Sequence, residues 1–242
     1  MGATVMRWLR VLLDGVFPPA CEVCGEPLDS GAPIGLCRAC LASMLPPPPP
    51  LCPRCGLPLP AGAPCPDCRR RPPAFASAHA VGLYLPTEGG LNPLAVAVHA
   101  LKYRRRRVLA RALGELLAAR YPFDAERVVV PVPLHRTRLR SRGYNQALLL
   151  ARVLARRRGL SLVPRALVRT RATAGQPGLG ADARRRNLDG AFAVRSAAAV
   201  VGRSVVLVDD VLTTGATADA CAAALLAAGA ERVDAFTVGR AP

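Results

Sequence analysis

The chain has 242 residues, 51% of them apolar, and a mean hydropathy of +0.24, which excludes a disordered protein and leaves room for one medium domain and one small one. Lys and Arg number 33 against 16 Asp and Glu, and the resulting net charge of +17 points to polyanionic partners such as nucleic acid or phosphorylated metabolites. No run approaches the ~20 apolar residues of a membrane span, so no transmembrane segment is expected.

The first stretch, "MRWLRVLLDGVFPPAC" (6–21), spaces Trp8, Leu9, Leu12, Leu13 and Val16 close to a helical period. Arg7, Arg10 and Asp14 interrupt it too often for a signal peptide, so an amphipathic helix packed on its own protein is expected, with membrane-surface contact as the alternative. Without an export signal the chain is expected to be cytoplasmic, with its thiols reduced.

Eight of the nine cysteines then fall in four C-x-x-C pairs: Cys21/Cys24, Cys37/Cys40, Cys52/Cys55 and Cys65/Cys68. "CEVCGEPL" (21–28) and "CPRCGLPL" (52–59) are an internal repeat, each followed by a second pair, and five prolines (46–50) lie between the units. Units this small cannot bury a core alone. Four thiolates satisfy tetrahedral Zn²⁺, and Gly25 and Gly56 can take the left-handed backbone that closes such a turn. Two structural Zn²⁺ sites are expected, Cys21, Cys24, Cys37 and Cys40 in one, Cys52, Cys55, Cys65 and Cys68 in the other. Crossed pairing between repeats is the alternative. Cys221, in an alanine-rich segment, is expected to be a buried small hydrophobe.

From about Ala76 the pattern alternates, which divides the chain into an expected zinc region (1–75) and an α/β region (76–242). Strands are predicted over 79–85, 127–133, 204–210 and 232–238, and helices over 92–103, 108–121, 144–159 and 216–229. Residues 170–187, rich in Gly and Ala, are predicted as a long loop. This order implies a parallel sheet covered by helices on both faces.

In "VVLVDDVLTTGAT" (205–217), Asp209 and Asp210 stand at the carboxyl end of an interior strand, where ligands bind in open α/β sheets. Thr213, Thr214, Gly215, Ala216 and Thr217 then lead into a helix N-terminus suited to phosphate. Acids beside such a loop suit a sugar phosphate, accepting hydrogen bonds from vicinal hydroxyls. An Asp-Asp strand could also belong to a P-loop nucleotidase, but the required G-x-x-x-x-G-K-[ST] loop is absent, Lys102 being the only lysine.

This stretch resembles the phosphoribosyl-pyrophosphate (PRPP) signature of type I phosphoribosyltransferases. The whole chain resembles the ComF-type family, on the strength of "LKYR" (101–104), "PVPLHRTRLRSRGYNQA" (131–147), "RTRATAGQPGLGADARRRNLDGAF" (169–192), the signature and the paired C-x-x-C units. The resemblance implies a type I phosphoribosyltransferase-like sheet preceded by a double zinc ribbon. It implies that Asp209 and Asp210 hold ribose hydroxyls, that residues 213–217 hold the 5′-phosphate, and that Arg136 and Arg142 meet the pyrophosphate, bridged by Mg²⁺. It makes Thr173, Gln176, Arg184 and Asn187 part of a lid. It further implies a role in DNA uptake, with single-stranded DNA and other competence proteins as partners. A phosphoribosyltransferase acting on a small acceptor is the alternative. Three basic segments, 102–107, 135–142 and 156–158, support the DNA reading if they share one face.

Overall fold

The computed structural model describes residues 19–29, 35–85, 92–123, 127–172 and 187–242. The expected N-terminal helix, apart from its last residues, and Thr173, Gln176 and Arg184 of the expected lid lie outside them.

The two C-x-x-C-G-x-P-L repeats fold alike. Cys21 N–H donates to Glu26 O and Cys52 N–H to Leu57 O, both at 2.8 Å, and antiparallel bridges join Ala20 to Pro27 and Leu51 to Pro58. Gly25 (φ +79°) and Gly56 (φ +67°) take the left-handed backbone that lets the turn close. The second pair of each unit opens a one-turn helix, α1 (Arg38–Ala42) after Cys37 and α2 (Pro66–Arg70) after Cys65.

β1 (Ala78–Leu83) then enters the sheet. Asn92 caps α3 (Pro93–Tyr103), its Oδ1 accepting Ala95 N–H at 2.8 Å, with Pro93 in the first turn where no N–H is needed. α4 (Leu109–Ala119) and β2 (Val128–Pro131) follow. Residues 136–142, between a predicted strand and a predicted helix, form α5 (Arg136–Arg142), capped by His135 and stopped by Gly143 at φ +82°. α6 (Gln146–Arg158) ends on Gly159 as predicted, and β3 (Ser161–Leu162) is only two residues long. β4 (Leu167–Arg169) and β5 (Phe192–Val194) make a separate antiparallel pair. β6 (Ser204–Leu212), α7 (Ala216–Ala227) and β7 (Arg232–Arg240) complete the chain.

The main sheet is parallel, in the order β1-β7-β6-β2-β3. Alternation along β6 sorts its side chains between two cores. Val206 and Val208 join the first, with α3, α4 and α6; Val205 and Leu207 join the second, with α7. α4 and α6 cross so closely that a Cβ on Gly114 would meet Val153 Cβ at 2.5 Å.

The ribbons belong to these same cores. Cys21, Cys40 and Met44 pack in the first, and Cys52, Cys55 and Cys65 in the second. Each ribbon also lies against β1. A Cβ on Gly82 would meet Leu45 O at 2.8 Å, and one on Gly56 would meet Ala78 O at 2.6 Å. Thus the proline segment between the ribbons carries the chain from one face of the sheet to the other.

Candidate functional site

The eight cysteines form two clusters in sequential pairing, Cys21, Cys24, Cys37 and Cys40, then Cys52, Cys55, Cys65 and Cys68, with all four sulfurs of each within 4.8 Å of one another. A tetrahedron with Zn–S arms of about 2.3 Å has edges of about 3.8 Å. The observed sulfur–sulfur separations are 3.7 Å for Cys24–Cys37, 3.8 Å for Cys52–Cys68 and 3.7 Å for Cys55–Cys65. The chain's own N–H groups prepare the charge. Burial alone would raise Cys21, yet N–H donors of Cys24, Cys37 and Val23 bring it down to about 6. Cys52, also opposed by burial, falls to about 7 through the N–H groups of Cys55 and Arg54. Cys40 and Cys68 are pushed up, by burial and then by their neighbouring sulfurs. Four thiols this close cannot all ionise without a cation among them, so these residues fit structural Zn²⁺. Cys221 is buried and far above the usual thiol range through burial, in keeping with a packing role.

The acidic pair divides between the faces of the sheet, as strand alternation requires. Asp210 follows Val208 onto the α3 face, where its Oδ1 takes an ion pair from Lys102 Nζ at 2.9 Å and a hydrogen bond from Val211 N–H at 2.7 Å. Asp210 Oδ2 is buried without a partner among the described residues. Asp209 follows Leu207 onto the α7 face. There it lines a cavity of about 160 Å³ together with Thr213, Thr214, Gly215, Ala216 and Thr217. Gly215, at φ +75°, turns the strand's exit into the first turn of α7.

Burial, and then the charge of Asp210, pushes the Asp209 carboxyl up to about 8, with Lys102 pulling the other way. Burial would lower Lys102, but the Asp210 carboxylate, helped by Asp209, leaves it raised. The cavity is therefore walled by a carboxyl that keeps its proton near neutrality until a cation or a hydroxyl donor favours the charged form. Arg138, Arg169 and Asn187 line the same cavity. Burial, and then the Arg138 charge, lowers Arg169.

A second, open hollow of about 360 Å³ adjoins the first, lined by Lys102, Tyr103, Arg105, Arg138, Ser141 and Arg142. Arg138 lines both. Arg142 stacks over Tyr103 at 5.5 Å and donates to Gln146 Oε1 at 2.6 Å, so it belongs to this hollow and not to the Asp209 cavity. Arg136 is exposed at the start of α5 and is not among the residues lining the cavity. Arg105 holds a left-handed backbone, φ +56°, alone among the described non-glycine residues, and its guanidinium donates to Ser141 O at 3.1 Å. The first two basic segments thus meet. The third does not: Arg157 pairs with Glu115 at 2.5 Å and Arg158 lies over Tyr121, at the far end of α6.

Sequence reasoning did not assign Lys102 or Arg138. Lys102 carried a signal, being the one lysine among 33 basic residues. A compact ammonium suits a single buried carboxylate oxygen better than a planar fork does. Arg138 carried none, since three arginines at the same spacing, Arg136, Arg140 and Arg142, surround it.

A family model described as a double zinc ribbon domain matches residues 12–69. Among solved structures, the allosteric regulatory enzyme of purine biosynthesis aligns at 24% identity and TM-score 0.37, over 52% of this chain and 24% of that one. Adenine phosphoribosyltransferase from Thermoanaerobacter pseudethanolicus aligns at 17% identity and TM-score 0.36, over 65% of this chain and 92% of that one. The parallel sheet, the acid–loop–helix unit at its carboxyl edge and the paired Cys₄ knuckles define the class: a parallel α/β fold carrying a double zinc ribbon.

DNA utilization protein YhgH of Escherichia coli O157:H7 is 38% identical over 231 residues, covering 92% of this chain and 97% of its own. Competence protein F of Haemophilus influenzae is 32% identical over 186 residues, covering 72% and 77%. The chain belongs to the ComF/YhgH family of DNA utilization and competence proteins.

Proposed function

We propose that this protein binds PRPP with Mg²⁺ in the Asp209 cavity and holds single-stranded DNA along the adjoining basic hollow, in the service of DNA utilization. The observation that carries this reading is the shared cavity. One carboxyl and the whole of residues 213–217 face the same space at the carboxyl edge of the sheet, and Arg138 connects that space to the hollow. The loop would take the 5′-phosphate on N–H groups and hydroxyls, and Asp209 the ribose hydroxyls. Mg²⁺, which needs few protein ligands, would neutralise the pyrophosphate beside it. Asp210 acts through Lys102, fixing α3 and the rim of the hollow.

Calorimetry with PRPP and Mg²⁺ tests the assignment. Asp209→Asn should weaken binding by at least about tenfold, the scale of one charge-assisted hydrogen bond. Equal affinity in wild type and variant would remove Asp209 from the site. Pyrophosphate release that depends on an added acceptor would make the protein a transferase; binding without release would make it a sensor.

A further inference from the structure

Arg240, the last residue of β7, is 5% exposed, yet no carboxylate pairs with it among the described residues. Its guanidinium spends its donors on carbonyls. Nε reaches Cys55 O at 3.0 Å, and Nη1 reaches Leu212 O at 3.2 Å, Thr213 O at 2.7 Å and Ala241 O. A buried cation held only by dipoles is costly unless negative charge lies near. The neighbour is the second Cys₄ cluster, since Cys55 supplies both a carbonyl to Arg240 and a sulfur to the cluster. Four thiolates around a divalent cation leave net negative charge.

The other end of the same guanidinium holds Leu212 and Thr213, where β6 leaves the sheet and the phosphate loop begins. Two further contacts join the same pieces. Ala74 N–H donates to Asp219 Oδ1 at 2.6 Å, in the first turn of α7, and Phe75 lies 3.6 Å from where a Gly215 Cβ would sit. The first ribbon makes no such link among the described residues. It is tied instead to Arg120, which donates to Met44 O and Val81 O at 2.7 Å each, and to Arg106 through Glu22.

We propose that Arg240 is a positioning residue that couples the second zinc site to the phosphate loop, so that occupancy of Cys52, Cys55, Cys65 and Cys68, and not of the first cluster, sets how firmly residues 213–217 hold an anion. This rests on the phosphate reading of that loop. By reciprocity, an anion in the loop should also tighten zinc binding at the second site.

Hydrogen exchange of the ligand-free, zinc-loaded full chain reads the coupling directly. Cys68→Ser and Arg240→Gln should speed exchange over residues 212–219 by at least about tenfold, the loss of one charged hydrogen bond. Arg240→Lys, which keeps the charge but loses the fork, should fall between them and wild type. Cys24→Ser, at an exposed ligand of the first site, should leave that segment unchanged. Exchange in β2 should stay unchanged in all four variants. The proposal is overturned if Cys68→Ser has no effect on residues 212–219, if Cys24→Ser matches it, or if β2 loosens in step, which would make Arg240 a merely structural residue. Calorimetry on the same samples separates the two readings. If wild type binds no PRPP, the phosphate reading falls, while the exchange result still decides whether zinc and loop are coupled.

Discussion

Asp209 and Asp234 are acids whose surroundings push their titrations in opposite directions. Asp209 is raised to about 8 by burial and by Asp210. A folded-state pKa above the unfolded one gives stability that is complete below the ordinary carboxylate range and is lost as pH rises through about 8. Asp234 is fully buried, which would raise it, but Arg232, Ser77 and Arg127 hold it low. The Arg127 Nη1 and Arg232 Nε contacts are 2.5 and 2.8 Å. Its stabilisation is present above the ordinary carboxylate range and is lost as pH falls through its lowered value. Asp209→Asn should therefore melt higher than wild type at pH 8, by about 2–4 °C for each kcal/mol released, with the difference gone near pH 4. Thermal scans across that range check it. PRPP affinity in the presence of Mg²⁺ should rise with pH up to about 8, by about tenfold per unit if one proton leaves on binding, and Asp209→Asn should abolish that dependence. The acidic pair was legible in the sequence because two carboxylates ending an apolar run are unusual. Their division between faces is less visible, because neighbours in sequence suggest neighbours in space; the period of two along a strand separates them.

Gly25 and Gly56 occupy the same place in the two ribbons and differ in what lies above them. A Cβ on Gly25 would meet nothing within 4 Å, so Gly25→Ala should cost only the left-handed penalty of roughly 1–2 kcal/mol. A Cβ on Gly56 would strike Ala78 O at 2.6 Å, so Gly56→Ala must also push the second ribbon off β1, adding about 1–3 kcal/mol. Urea unfolding of the two variants should show this order, and equal losses would mean that the contact with β1 is slack. At this scale the repeated C-x-x-C-G-x-P-L motif shows that the ribbons are alike. Nothing in C-x-x-C spacing says what a knuckle packs against, so their entry into both cores was illegible. The long strands and helices of the α/β region could be read from period and caps. α5 could not, because "RTRLRSR" has no apolar stripe. The pair β4 and β5 could not, because three-residue strands carry too few side chains to show alternation.

For the whole molecule, the question is how a charge of +17 is distributed. Two basic segments converge at the hollow beside Asp209, and the third sits at the other end of α6, about 20 Å away at 1.5 Å per residue. With 4% aromatic residues there are few stacking platforms, and Tyr103, 65% exposed at the hollow, is the best placed. Oligonucleotide binding should therefore weaken with salt at a slope of about −0.7 per phosphate neutralised. Replacing arginines 104–107 by Ser should flatten the slope, and replacing arginines 156–158 should leave it nearly as it was; titrations at several salt concentrations decide. The ribbons' position against β1 carries a different consequence. β3 ends the sheet harmlessly, at two residues, but β1 is a six-residue edge, covered in part where Arg120 donates to Val81 O and Asn92 to Leu83 O, and exposing it could recruit a strand from another molecule. Leu45 on one face and Gly56 on the other flank that edge. Stripping zinc should then show first as self-association, with light scattering rising more steeply than protein concentration before helix content falls, and sulfhydryl chemistry would double as protection against aggregation.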